Sequence, residues 1–160
     1  MKNVVLKLVV CFVLSFCTAG AASAQPVQKE QDFSLPDLHG STVSLASVLE
    51  KKQPVLLFFW TTWCPFCLKE IKQIDKRAEA FGDKLTVLAI NAGEEKPKVE
   101  RLVKNYSVKT IVLLDPGQTA VEAYHVLGVP TFVLFNGNGG IVFNDNYFPE
   151  KEIRGLLGKQ

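Results

Sequence analysis

Cys64 and Cys67 stand three positions apart in Trp63-Cys64-Pro65-Phe66-Cys67. Two thiols at this spacing can open and close a disulfide with each other, and the loop so closed is too short to stabilise a fold much. Reactivity therefore explains the pair better than architecture does. A thiol at the start of a helix is favoured as the thiolate, because free backbone N–H groups and the positive end of the helix dipole face it. Pro65 suits the first helical position, having no N–H to lose. A helix also carries residues three apart to neighbouring places on one face. The spacing thus predicts Cys64 as the exposed nucleophile and Cys67, one turn further in, as the resolving thiol. Trp63 and Phe66 are expected to shape the rim beside the nucleophile, and Trp60 to serve as core, as site floor or as both.

The chain offers little for competing chemistries. It contains two histidines, His39 and His125, far apart in sequence, so a zinc site lacks further ligands beyond the cysteine pair. His39 reads as an exposed turn residue and His125 as a surface or half-buried one. The formal net charge is +2. It falls to about zero if the leader carrying Lys2 and Lys7 is removed, which leaves no electrostatic case for nucleic acid or an anionic membrane surface. Lys51-Lys52 and the charge-mixed Lys69 to Arg77 read as solvated faces.

The elements that must position the cysteines follow from hydrophobic patterning. Residues 1–24 have the form of an export signal: basic Lys2 and Lys7, an apolar stretch from Leu8 to Phe16, and Ala22-Ser23-Ala24 before Gln25. An uncleaved anchor is the alternative, and either way the location is extracytoplasmic, the periplasm or its equivalent. Cys11 and Cys17 lie inside this segment. Residues 25–31 form a polar lead-in, and residues 32–160 a single domain, since a chain of 160 residues, 48% of them hydrophobic, suits one ordinary core.

Phe33 to Leu35 and Thr42 to Leu45 flank a turn and predict an N-terminal hairpin. Val55 to Trp60 is a continuous apolar run after Pro54, the pattern of a strand buried on both faces. It leads into a helix from Pro65, with Ile71, Ile74, Ala78 and Phe81 at helical spacing and Gly82 as its end. Leu85 to Ile90 is a second buried strand. Glu94 and Glu95 are acids at a helix start with Pro97 in its first turn, and Val99, Leu102, Val103 and Tyr106 form the helix's apolar stripe. Ile111 to Leu114 predicts a strand, Gln118 to Val126 a short helix, Thr131 to Phe135 and Ile141 to Asn144 a hairpin, and Pro149 opens a final helix. Strands alternating with helices, then a hairpin, imply an α/β fold with a mixed sheet flanked by helices.

Val55 to Cys67 resembles the strand, tryptophan and C-x-x-C motif of the thioredoxin superfamily, and Gly128-Val129-Pro130-Thr131 resembles its cis-proline loop. The likeness is closer to the TlpA/ResA-like exported thiol-disulfide oxidoreductases. Their D-F-x-L-x-D-x-x-G-x-x-x-S-L lead-in is matched by Asp32 to Gly40 and Ser44-Leu45, and Pro97 to Leu114 is similar to their inserted helix-strand unit. The resemblance implies a thioredoxin-like fold and a cis Val129–Pro130 bond against the cysteine pair. It also implies substrate contacts from Trp63, Pro65, Phe66 and Val129, with Pro130 among the catalytic residues.

Glu70 matches an acid with which such reductases tune their thiols, three residues beyond the second cysteine. Its other reading is a solvated charge paired with a lysine. Thioredoxin's buried aspartate aligns with Phe58, so acid–base help must come from elsewhere. The resemblance suggests apocytochrome c among the disulfide- or thiol-bearing substrate proteins. A reductant in an oxidising compartment must be recharged, which implies a membrane thiol reductant as electron donor, and a monomer with no cofactor beyond the redox-active disulfide is expected. Rival readings are a thiol oxidant, a peroxiredoxin-like peroxidase, for which Thr61 would have to serve a T-x-x-C site, a copper-binding module and a structural interaction protein.

Overall fold

The computed structural model describes residues 32–158; the expected signal and lead-in lie outside them. Strand β3 (Val55–Trp60) is the centre of the molecule, and each of its six residues is buried. It pairs in parallel with β4 (Thr86–Ala92) and antiparallel with β6 (Thr131–Phe135). Outside these lie β5 (Ile111–Asp115), parallel to β4, and β7 (Ile141–Asp145), antiparallel to β6, giving the mixed order β5-β4-β3-β6-β7. This is a thioredoxin-like α/β sheet. An edge position explains why β7 carries exposed side chains where β3 carries none.

Alternation along β3 divides the core in two. Leu56, Phe58 and Trp60 face one layer, with Ile71, Ile74, Val99 and Ile153 contributed by helices. Those helices are α2 (Pro65–Ile71), α3 (Ile74–Glu79), α4 (Lys96–Tyr106) and α6 (Glu150–Leu157). Val55, Leu57 and Phe59 face the other layer, which holds Leu45, Ala120, Tyr124, Phe33 and Leu35. It is closed by α1 (Leu45–Leu49), α5 (Thr119–Ala123) and the hairpin of β1 (Ser34–Pro36) with β2 (Thr42–Ser44). Tyr124 sits among the rings of Phe33, Phe59 and Phe135. Burial, with the negative charge of Asp32 nearby, raises its phenol well above the usual tyrosine range.

The lead-in residues have concrete duties. Asp32 accepts from the backbone N–H of Ala46 at 3.0 Å and Asp37 from those of His39 and Ser41 at 2.8 Å, while the Ser44 hydroxyl caps α1 through Ser47 N. A bridge from Asp37 to Leu113 lays the hairpin against β5.

Two elements differ from the sequence reading. The helix expected to run from Pro65 to Gly82 breaks at Lys72 and Gln73 into α2 and α3. Gln73 N bonds back only three residues, to Glu70 O at 2.9 Å, and this tighter turn keeps Ile71 and Ile74 both in the core. The short helix α1 follows the hairpin directly, where the sequence predicted only extended structure around Leu45. Its cap at Ser44 is the local cause.

Phe58 stacks on Phe132 with centroids 4.6 Å apart, and both rings are fully buried. Phe58→Ala is expected to lower unfolding free energy by about 3–5 kcal/mol in denaturant titration, the usual effect of emptying a packed aromatic site.

Candidate active site

Strand β3 leaves the sheet at Trp60, whose ladder partner is Asn91, and the chain turns through Thr61 to Trp63 into α2. Cys64 is the N-cap of that helix. Its backbone is extended (φ −86°, ψ 111°), and its sulfur accepts from Cys67 N at 3.1 Å with Pro65 in the first helical turn. Cys64 and Cys67 are joined by a disulfide, their Cα atoms 5.2 Å apart.

The sequence reading expected Cys64 to be openly exposed. It is 4% exposed and Cys67 is 0%. The difference arises because the 125–131 loop leans on the helix start, bringing the Val129 carbonyl oxygen to 3.6 Å from Cys64 Sγ. Accessible apolar surface lies around the sulfurs instead, with Trp63 66% and Phe66 74% exposed. Trp60 is wholly buried and belongs to the core layer beneath.

The Val129–Pro130 bond is cis. The loop that carries it is anchored at its root by Asp115, buried at the end of β5. Its carboxylate accepts from the backbone N–H groups of Thr119, Ala120 and Val121 at 2.8–3.1 Å, which fixes the start of α5. The helix ends early, at Ala123, because His125 adopts a left-handed conformation (φ 50°) that turns the chain toward Pro130.

A groove of about 800 Å³ extends from Phe66 and Glu70 past Pro130 to Asp145 and Tyr147, with His125 and the fully exposed Leu127 on its margin. Glu70 is 18% exposed and contacts Arg77 Nη1 at 3.0 Å, an ion pair whose N–H bonds do not point straight at the buried oxygen. Arg77 lies 4.8 Å from the centroid of the Phe148 ring and bonds Gln73. The partner of Glu70 is thus an arginine seven residues on, not the lysine that the sequence suggested. Position 58 presents a stacked phenylalanine where an acid could have stood. Among the described residues, no group of three His, Cys, Asp or Glu side chains is placed to hold a metal.

One polar cluster escaped the sequence reading. Glu94, taken as an acid favouring the start of α4, stands outside that helix, whose N-cap is Glu95. Its side chain turns back toward the active-site loop. Oε2 accepts from Thr62 N at 2.6 Å and Asn91 Nδ2 at 2.8 Å; Oε1 accepts from Thr62 Oγ1 at 2.6 Å and pairs with Lys98 Nζ at 2.6 Å. Gly93, with φ 74°, makes the reversal, and a side chain there would press on Gln118. A usable signal was present: parallel neighbours end on the same side of a sheet, so a polar turn after the second buried strand must lie near the turn after the first.

A β-αβ framework whose central strand delivers a C-x-x-C disulfide at a helix N-terminus, facing a cis-proline loop, defines a thiol-disulfide oxidoreductase of thioredoxin-like fold. Residues 26–144 match the AhpC/TSA family, and the chain belongs to it. It is similar to the thiol-disulfide oxidoreductase ResA of Bacillus subtilis, 33% identical over 125 residues that cover 78% of this chain and 69% of ResA. The sporulation thiol-disulfide oxidoreductase A of the same organism is 30% identical, covering 76% of each chain. Among solved structures, the exposed lipoprotein thioredoxin Etrx1 of Streptococcus pneumoniae superposes with a TM-score of 0.68 at 28% identity, over 81% of this chain and 99% of that one.

Burial works to raise the Glu94 carboxyl, but the bonds from Lys98, Thr62 and Asn91 outweigh it, so the group lies below its ordinary value of 4.5. A carboxylate depressed in the folded state stabilises the fold above the unfolded-state value and loses that contribution as pH falls through the folded one. Thermal unfolding followed from about pH 6 to about pH 3 is therefore expected to show a smaller loss of stability for Glu94→Gln than for the parent chain, the difference opening below about pH 4.5.

Proposed function

We propose that this oxidoreductase works on the extracytoplasmic side of the membrane and reduces disulfides in exported proteins, with apocytochrome c as one substrate class. The observation that carries the reading is the Cys64–Cys67 disulfide seated at the start of α2 against the cis-proline loop. The export-type leader in the sequence and the likeness to ResA and to an exposed lipoprotein thioredoxin support the location.

In the reduced protein, the Cys64 thiolate attacks one sulfur of a substrate disulfide. That bond breaks, the distant substrate sulfur leaves as a thiolate and takes up a proton, and Cys64 is left in a mixed disulfide. The Cys67 thiolate then attacks Cys64 Sγ and expels the second substrate thiolate. Two electrons have passed to the substrate, and the protein is left in the disulfide form that the structure records. A membrane thiol reductant returns it to the dithiol, and the reaction uses no cofactor beyond the cysteine pair.

Each site residue has a part in this reading. Trp63, Pro65 and Phe66 form one lip of the substrate contact, while Val129 and Pro130 form the other. Glu70, at the near end of the groove and one helical turn beyond Cys67, exchanges a proton with the resolving thiol. The protein acts as a monomer.

Replacing Cys67 by serine is expected to trap a substrate on Cys64 as a mixed disulfide, visible as a dithiothreitol-sensitive band on non-reducing gels and absent from the Cys64→Ser variant. Recovery of no adduct from exported proteins would overturn the reading. Equilibration with glutathione tests the direction: a reductant lies far below the potential of about −120 mV typical of a strong dithiol oxidant, and a value near that figure would assign the oxidant role instead.

A further inference from the structure

Beyond Trp60 no sheet partner holds the chain that leads to the nucleophile. The ladder to β4 ends at Trp60 and Asn91, and the ladder to β6 ends one residue earlier, at Phe59 and Thr131. Cys64 must nonetheless be placed accurately, because its sulfur caps α2 and faces Val129. The contact that takes over from the sheet is Glu94, which receives both the backbone N–H and the hydroxyl of Thr62, two residues before Cys64. Glu94 is in turn held by the end of β4, through Asn91, and by the first turn of α4, through Lys98.

We propose that Glu94 is a positioning residue for the redox centre: it fixes the Thr61 to Trp63 turn so that Cys64 sits as the N-cap of α2, where its thiolate is stabilised. Each carboxylate oxygen serves two donors, so the group is saturated and its side chain, 7% exposed, does not swing. Glutamine at this position keeps the shape but not the function. Turned one way, its NH₂ faces Thr62 N–H and Asn91 Nδ2; turned the other way, it faces the Thr62 hydroxyl and the Lys98 ammonium. A loosened turn weakens the cap on Cys64, which disfavours the thiolate and hence the reduced state.

The test uses the full chain, reduced and then alkylated with iodoacetamide at pH 7, with Cys64 modification followed by mass spectrometry. Glu94→Gln is expected to slow that alkylation by about tenfold and to shift the glutathione equilibrium about tenfold toward the disulfide, equivalent to about 30 mV. A loss of melting temperature with both readings within about twofold of the parent would overturn the proposal, since a merely structural brace moves stability alone. Should Glu94→Gln fail to fold, Thr62→Ala carries the test. Removing one of the four bonds is expected to slow alkylation about threefold, and Thr62→Ser, which keeps the hydroxyl, to restore it. An unchanged rate in Thr62→Ala would overturn the proposal equally.

Discussion

In the proposed mechanism, the nucleophilic sulfur is also the cap of the helix whose start favours its thiolate. Cys64 Sγ accepts the Cys67 N–H at the start of α2, so the bond that begins the helix is the bond that favours negative charge on the nucleophile. Such a cap works only if the helix starts where the strand ends. The burial of β3 on both faces meets this condition: six consecutive side chains locked between two core layers leave the strand no freedom to slide, and a shift of one residue would exchange the two layers.

Around that fixed point, three carboxylates divide the work. Asp115 is spent on the N–H groups that begin α5 and so sets the root of the cis-proline loop. Glu94 is spent on Thr62 and closes the gap between the last sheet hydrogen bond and the cap. Glu70 alone faces the groove, paired with an arginine that is itself held by Phe148 and Gln73. Two of the acids are saturated by donors and act as struts. The third borders the groove, where the proposed mechanism has it exchange a proton with the resolving thiol.

The apolar surface follows the same division. Inside, Phe58 and Phe132 stack where a buried acid would otherwise stand beneath the cysteines. Outside, Trp63, Phe66 and Leu127 project around the sulfurs and the groove. Exposed aromatic and aliphatic side chains at a site rim are tolerated where they meet a partner, and here they lie beside a nearly buried disulfide whose Cys64 Sγ is 3.6 Å from the Val129 carbonyl oxygen.

The order of strands and helices and the seating of the C-x-x-C pair were legible in the chain, because they depend on local patterns: an unbroken apolar run, a proline at a helix start, a glycine-rich turn between short strands. The cis-proline loop was expected only through the resemblance of Gly128 to Thr131 to the thioredoxin superfamily. Local patterning also showed that β3 is buried on both faces, and the structure then sorted Phe58 into one core layer and Phe59 into the other. What only the tertiary structure decided were relations between segments distant in sequence. Glu94 read as a helix-start acid because its neighbours are helical, yet its partner Thr62 lies across a parallel strand pair. The helix after Cys67 read as continuous because Ile71, Ile74 and Ala78 fit one stripe, yet packing both isoleucines against β3 tightens the turn between them. Cys64 read as exposed because nucleophiles must be reached, yet a loop some sixty residues on leans over it. Hydrophobic period and capping chemistry act within a turn or two of chain, whereas side-chain hydrogen bonds and loop packing depend on which ends of the sheet come together.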